Sequence, residues 1–387
     1  MKTFIINGTN VTYKGISSGA VVIEDGKIKD VHYKSAIPEG SIIYDAEGCI
    51  VAPGFIDIHV HGGNGYDFLD CTKESFFNIF KTHISHGTTG ICPTTVACDT
   101  KKLFDFFKLC ETMKDTVGFL GIHMEGPFIS KLQKGAQSEE FICTPGCSLT
   151  EDILSRGKHL IARITAAPEI DGMEEFARRV TDFGIGLSVG HSNAYISDME
   201  NAARWGFNQV THLFCNTPGC RKVGSFVTSG VIEGALLNDD FFVEIIGDGH
   251  HIPAETLKLT LKIKGADKVC LVSDSMRSAG QVGVNESYLG EKLPQNRVII
   301  EEGVAKLPDR SSFAGSIALG DMMFKNAVEN FGIDINTVSK IMSETPSKLL
   351  KIDDRKGSIK EGLDADIVIL DKNLKTKSVF INGIQKL

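Results

Sequence analysis

Residues 51–68 read VAPGFIDIHVHGGNGYDF. An apolar run from Phe55 ends in His59-Val60-His61, and a glycine-rich turn follows. Successive strand side chains alternate faces, so His59 and His61 point the same way. Ile56, Ile58 and Val60 take the opposite face and need cover of their own. A strand buried on both sides belongs to a parallel sheet packed under helices.

Seven further runs share this texture: Thr88–Val96, Gly118–Glu125, Leu160–Glu169, Gly186–His191, Gln209–Phe214, Phe241–Asp248 and Val269–Asp274. Helix-like segments such as KESFFNIFKTHISHG and MEEFARRVTDFG lie between them. With Phe55–His61 this makes eight strands in strand–helix alternation, which predicts an α/β chain with a closed (β/α)8 TIM barrel. Residues 283–310 read as a β-hairpin insertion after the eighth strand, with helical stretches expected around Ile317–Asn330 and Asn336–Ser343.

Both chain ends differ from this middle. FIINGTNV, GAVVIEDGKIKDVHY and SIIYDAEGCIVA near the start alternate β-branched residues between NG and DG turns, and residues 357–387 do the same. They predict one small β-sandwich domain built from residues 1–52 and 346–387, flanking a barrel domain over 53–345.

Six of the eight strands finish in polar, metal-capable residues. The first ends His59-Val60-His61, the third His123-Met124-Glu125, the fifth Gly190-His191 and the sixth Thr211-His212. The seventh ends Asp248-Gly249-His250-His251 and the eighth Ser273-Asp274. Catalytic groups of this fold gather at the C-terminal mouth of the barrel, so residues far apart in sequence converge there. Imidazoles and carboxylates buried together without an ion are costly, whereas they suit a divalent cation such as Zn²⁺ or Fe²⁺.

The formal net charge of −8 and pI near 5.8 leave no general basic field for nucleic acid or an anionic membrane. An anionic substrate therefore needs a local cationic pocket. The start, MKTFIINGTNVTYKG, lacks an apolar signal-peptide core, and no apolar run reaches the ~18–20 residues of a membrane span. Ten cysteines without framework spacing indicate reduced thiols and a cytoplasmic protein. Cys143/Cys147 and Cys215/Cys220 are close pairs, read as ordinary thiols rather than zinc ligands.

VAPGFIDIHVHGGNGYDF, HMEGPFI, KLQKGAQ, VGHSNA, THLF, GDGHH and LVSDSM occur here in the order seen in one family. The chain resembles the N-acetylglucosamine-6-phosphate deacetylases of the amidohydrolase superfamily, over essentially its whole length. The resemblance implies hydrolysis of N-acetyl-D-glucosamine 6-phosphate to D-glucosamine 6-phosphate and acetate. It implies Glu125, His191 and His212 around one divalent metal, with His59 and His61 as a second-metal pair that some members lack. One or two ions per subunit follow, with Zn²⁺ expected and Fe²⁺, Co²⁺ or Mn²⁺ as alternatives. Asp274 resembles the catalytic aspartate that takes a proton from the attacking water and returns it to the departing amine.

The same resemblance gives the substrate pocket. His251 is similar to the histidine that contacts the sugar phosphate, and alternation turns His250 away. Gln137 stands where the family often has a histidine, and can donate to a substrate carbonyl or hydroxyl without carrying charge. Cys215 falls at the position of the family's asparagine, with Asn216 beside it. Arg221, nine residues beyond His212, is the nearest candidate for the phosphate-binding arginine, which in the family reaches into the neighbouring subunit's site. A homodimer is implied. The altered 215–221 loop keeps N-acetylgalactosamine 6-phosphate open as the substrate. A catalytically inactive, interaction-only amidohydrolase fold is the third reading, opposed by the complete set His59, His61, Glu125, His191, His212 and Asp274. His123 is expected behind the ligands, and Trp205 and Phe207 in helix packing.

Overall fold

The computed structural model describes residues 2–146 and 148–387, so Cys147 of the Cys143/Cys147 pair lies outside the described residues. Eight parallel strands form one sheet in sequence order: β1 (Phe55–Val60), β2 (Thr88–Thr95), β3 (Ile122–Glu125), β4 (Ile161–Ala166), β5 (Gly186–Val189), β6 (Phe207–Val210), β7 (Phe242–Ile246) and β8 (Val269–Val272). A parallel bridge from Val60 to Ser275 joins the last strand's extension to the first and closes the ring. Helices follow the strands outside, among them α1 (Lys73–Ser85), α2 (Thr100–Met113), α3 (Ser148–Gly157), α4 (Met173–Asp182) and α5 (Ile196–Arg204). The fold is the expected TIM barrel. Trp205 and Phe207 pack in its main apolar core, where α5 meets β6.

Every strand is shorter than its apolar run, and in β3 and β8 the backbone shows why. β3 begins at Ile122 because Gly118 and Gly121 take φ of +92° and +99°, which break the extended run before it. β8 stops at Val272 because Asp274 turns to φ +49°.

The terminal segments make two further sheets. One orders Lys27–Tyr33, Ala20–Glu24, Lys2–Ile6 and Ile42–Asp45; the other orders Ile384–Gln385, Thr376–Ile381, Ile367–Leu370, Ile50–Pro53, Thr9–Thr12 and Gly15–Ser17. Ile5, Val21, Ile23 and Ile28 of the first pack on Val51, Ile367, Ile369 and Phe380 of the second. This is the β-sandwich made from both chain ends.

The insertion after β8 is a three-stranded antiparallel meander rather than a single hairpin: β9 (Glu286–Tyr288), β10 (Arg297–Glu301) and β11 (Val304–Lys306). Glu302 and Gly303, both at positive φ, make the tight turn between β10 and β11. The expected helix over 317–330 starts at Gly320 and widens into a π-helical turn over Asn326–Asn330. A second such turn, Lys340–Glu344, interrupts the later helix.

Candidate active site

The polar strand ends meet in one cluster at the barrel mouth. Glu125 Oε1 lies 3.0 Å from His212 Nε2, 3.1 Å from His191 Nε2 and 3.5 Å from His59 Nε2. Glu125 Oε2 is 3.6 Å from His61 Nε2. Asp274 Oδ1 stands 3.1 Å from His61 Nε2 and 3.5 Å from His59 Nε2. His59 and His61 face one another through Nε2 at 3.2 Å. All of these side chains are buried.

Local backbone geometry aims them. His191, His212 and Asp274 each follow a barrel strand and each holds a positive φ, of 47°, 29° and 49°. Non-glycine residues enter that region at a cost of order 1–3 kcal/mol, and such strain clusters at functional sites. Gly190 lets β5 end where it does: a Cβ there would lie 2.6 Å from Thr165 Cγ2 and 2.8 Å from Thr211 Cβ.

The outer ring nitrogens decide how the inner ones face. His191 Nδ1 reaches the Gln133 carbonyl at 2.8 Å, His212 Nδ1 the Cys215 carbonyl at 3.1 Å, and His59 Nδ1 reaches Glu244 Oε2 at 3.0 Å. A carbonyl or carboxylate only accepts, so each Nδ1 carries the proton and donates it outward. In the neutral tautomer each Nε2 then turns a lone pair to the centre. The donors fall into overlapping groups of three, Glu125 with His191 and His212, His59 with His61 and Glu125, and His59 with His212 and Asp274, each of a chemistry that fits a divalent cation.

The charges agree with this geometry. Burial pushes the imidazoles of His61 and His212 down, but the facing carboxylates outweigh it and hold both at about 9. Burial pushes Asp274 up, and His59, His61 and His212 more than reverse it, so its carboxyl stays ionised. Glu125 is likewise held well below the usual carboxylate range against its burial, chiefly by His191 and His59. The cluster therefore binds positive charge, whether protons or a metal ion.

A cavity of about 480 Å³ opens over the cluster. His61, Glu125, Gln137, His191, His212, Cys215, Asn216, His251 and Asp274 all line it. His251 is tied to Asp248 by Nδ1–Oδ2 at 2.7 Å, whereas His250 is exposed. Burial raises the Cys215 thiol to about 12, so it stays protonated, and both Cys215 and Cys220 are free thiols.

Two residues expected at the substrate show further contacts. Gln137 is engaged at both ends: its Oε1 accepts from Ala97 N at 2.8 Å, and its Nε2 donates to Glu125 Oε2 at 2.9 Å. Its amide braces Glu125 in addition to lining the cavity. Arg221 is not among the lining residues; its Nη2 donates to the Asn193 and Ala194 carbonyls and its guanidinium lies over the Tyr195 ring at 4.0 Å. The short hairpin Arg221–Val223/Phe226–Thr228 folds this side chain back on its own chain.

Sequence reading missed residues beneath and above the cluster. Beneath it, Arg163 of β4 and Glu244 of β7 form a fully buried ion pair, and Glu244 is the carboxylate that holds His59. A single charge inside each apolar run, LIARITAA and FFVEII, was the available signal, since a buried charge requires a partner. Above it, Leu289, Lys306, Arg310, Ser311, Ser312 and Phe313 from the insertion line the mouth. His123 packs edge-on against His59 with centroids 4.5 Å apart, and its Nε2 meets Thr165 Oγ1 at 2.7 Å. His83 reaches Gly62 O and Ser275 Oγ; His86 and His159 pair with Asp321 and Glu111 away from the cluster.

A model of the amidohydrolase family matches residues 50–385. The N-acetylglucosamine-6-phosphate deacetylase of Bacillus subtilis is 32% identical over 378 residues, covering 95% of this chain and 92% of that relative. The human enzyme of the same name is 30% identical, covering 88% and 84%. Among solved structures, an N-acetylglucosamine-6-phosphate deacetylase from Thermotoga maritima superposes with a TM-score of 0.86 at 31% identity, over 99% of each chain.

Proposed function

This chain belongs to the amidohydrolase family, among its N-acetylglucosamine-6-phosphate deacetylases, and from that premise we propose how its site carries out the deacetylation of N-acetyl-D-glucosamine 6-phosphate. The single observation that supports this most is the cluster itself: inward-facing Nε2 atoms around Glu125, with Asp274 Oδ1 3.1 Å from His61. Glu125, His191 and His212 would hold one divalent metal, and His59 and His61 a second, with Glu125 shared between them. Zinc is our choice of ion on the donor set of imidazole and carboxylate. When bound, the metal supplies Lewis acidity: it polarises the amide carbonyl and lowers the pKa of a water.

The chain's own residues do the rest. Asp274, ionised at neutral pH, accepts a proton from the water as its oxygen bonds to the acetyl carbon. The C–N bond then breaks, and Asp274 returns the proton to the departing nitrogen, leaving acetate and the free amine. His251, Asn216, Cys215 and the Gln137 amide line the space left for the sugar. His251, fixed by Asp248, is placed to donate to an anionic group through its other nitrogen.

Gln137→Ala removes the donor that orients Glu125. Metal affinity should weaken about 10–100-fold, as for other residues that orient metal ligands. Titration of the metal-free protein with Zn²⁺ measures this, and unchanged affinity would remove Gln137 from that role.

The proposed assembly is a homodimer. Val223, Phe226 and Val227 on the hairpin are 46%, 78% and 68% exposed, an apolar face suited to a second copy. We place the enzyme in the cytoplasm, on its reduced-thiol composition; among the described residues no helix is long and apolar enough to cross a membrane. We also divide the chain into a barrel domain over 53–345 and a sandwich domain from 1–52 and 346–387.

The test is acetate release from a panel of N-acetylated hexosamines, with and without a 6-phosphate, alongside metal analysis of the same sample. The gluco 6-phosphate should have the highest kcat/KM, at least tenfold above the galacto epimer. A preference for the galacto epimer would reassign the substrate, and release from none of the panel would end the deacetylase reading.

A further inference from the structure

Glu169 closes the fourth apolar run, just beyond β4, and is not among the residues that line the cavity. Its carboxylate is turned to the segment that follows His191. Oε2 accepts from Ser192 Oγ at 2.7 Å and Oε1 accepts from Asn193 N at 2.6 Å. We propose that Glu169 is a positioning residue for His191: it holds the turn that aims the imidazole at Glu125, and so sets how tightly Glu125, His191 and His212 take a divalent ion. This deepens, and rests on, the deacetylase reading.

The backbone at His191 needs such a hold. Its φ of +47° is left-handed, and a non-glycine residue stays there only where its surroundings enforce it. Before it, Gly190 N donates to the Ala166 carbonyl at 3.2 Å. At it, the His191 carbonyl accepts from Ser130 N at 2.8 Å. After it, Ser192 N donates to the Asn216 carbonyl at 3.2 Å. These three are backbone to backbone. Glu169 adds a side-chain hold on the two residues that follow, and Ser192 Oγ extends it by accepting from Ala194 N at 3.1 Å. Burial raises the Glu169 carboxyl, and the Ser192 and Asn193 donors offset part of that rise. Hydrogen bonds to a carboxylate are roughly twice as strong as those between neutral groups, so this pair contributes more than the backbone contacts beside it.

A second path reaches the ring itself. Asn193 Oδ1 accepts from Gln133 Nε2 at 3.3 Å, and the Gln133 carbonyl accepts from His191 Nδ1 at 2.8 Å. Glu169, Asn193, Gln133 and His191 are therefore joined in one chain of hydrogen bonds that ends on the imidazole. The last of them fixes the tautomer and leaves Nε2 facing Glu125 Oε1 at 3.1 Å.

The two proposed metal positions do not share this support. His191 belongs only to the group with Glu125 and His212, whereas His59 is held separately by Glu244. Loosening Glu169 should weaken one ion and spare the other, a signature that a general loss of stability does not give. Behind Glu169 lies a surface cavity of about 610 Å³, lined also by Asp171, Glu174 and Asp198, so an apolar side chain of similar size fits there without overpacking.

The test compares full-length wild type, Glu169→Leu, Glu169→Gln, Asn193→Ala and Val180→Ala. Two readouts are taken: Kd for Zn²⁺ by chelator competition on metal-free protein, and the visible absorption of Co²⁺-loaded protein, whose bands report ligand geometry. Glu169→Leu removes both acceptors, so one Zn²⁺ step should weaken about 10–100-fold and the Co²⁺ bands should shift. If wild type binds a single ion, that ion should weaken. Glu169→Gln keeps an acceptor for Asn193 N, and Ser192 Oγ can turn to accept from its amide, so Kd should stay within about threefold of wild type. Asn193→Ala cuts only the path to Gln133 and should weaken the same step about 3–10-fold, which decides the matter even if Glu169→Leu does not fold. Val180→Ala opens a cavity under α4, and should lower the unfolding midpoint with Kd unchanged. The inference is overturned if Glu169→Leu and Asn193→Ala both bind Zn²⁺ as wild type does, or if Val180→Ala weakens the same step as much. Should wild type release acetate from no sugar, the deacetylase reading fails by itself, and the Zn²⁺ Kd values still decide the role of Glu169.

Discussion

Asp274→Asn lowers kcat for acetate release by about 10²–10⁴-fold, the usual contribution of a positioned acid–base group. The substitution is nearly isosteric, and it removes the proton acceptor while keeping a polar group of the same size. Asp274 N donates to the His59 carbonyl and its own carbonyl accepts from Ser316 N, so the backbone turn at φ +49° does not depend on the carboxylate. The fold should therefore survive, and so should the ion, because the Glu125, His191 and His212 donors are untouched. Substrate affinity should change little, since the aspartate works on the proton rather than on the sugar. The check is kcat and KM for acetate release, with metal content measured on the same preparation. A variant that retains metal and loses kcat fits the role assigned; a variant with more than a tenth of wild-type kcat does not. A variant that loses its metal would instead make Asp274 a metal ligand, which its 3.5 Å separation from His59 Nε2 makes geometrically open.

The sequence exposes this aspartate because of where it stands. Barrel strands end at the mouth, so a polar residue at the end of an apolar run is placed by the topology alone. Glu125, His191, His212 and Asp274 could all be located in this way, and so could the H-x-H pair of β1. Two kinds of information are not carried by such runs. The first is the direction of a hydrogen bond. Gln137 reads as a donor to substrate, but the Ala97 N–H claims its oxygen and turns its amide nitrogen to Glu125. The second is the path of a long loop. Arg221 sits at a suitable spacing from His212, and spacing alone does not reveal the short hairpin that lays its guanidinium on the Asn193 and Ala194 carbonyls. Arg310 lies in a stretch read only as a hairpin insertion, and just the tight turn after β11 brings it to the cavity. Spacing along a strand maps onto space at about 3.3 Å per residue, whereas spacing along a loop fixes only an upper limit of reach.

Glu244→Ala should destabilise the protein by about 3–5 kcal/mol, the cost of removing one partner from a buried ion pair. Arg163 has no exposed surface, and Glu244 is its counter-charge. Its remaining contact is weak: Nη1 to the Ile58 carbonyl at 3.4 Å, with Nε and Nη2 left without a partner. Truncating Glu244 strands a guanidinium in the barrel interior, and urea unfolding should show it as a lower midpoint at unchanged slope. The double variant Arg163→Met, Glu244→Leu removes both charges and fills the space with apolar groups, so most of that stability should return. Glu244 has a second task that this repair cannot restore. Its Oε2 accepts from His59 Nδ1 at 3.0 Å and from His212 N at 3.3 Å, which fixes the His59 tautomer and points Nε2 at the cluster. Without that acceptor the imidazole can turn or exchange its proton, and an ion at the proposed His59–His61 position should bind about 10–100-fold more weakly. Stability and metal binding are thus expected to part company in the double variant: a midpoint near wild type, with fewer ions retained after dialysis. A single variant within about 1 kcal/mol of wild type would mean that Arg163 finds water or another acceptor. A double variant that binds metal as tightly as wild type would show that the β1 histidines are held by their strand alone, with no help from the charge beneath them.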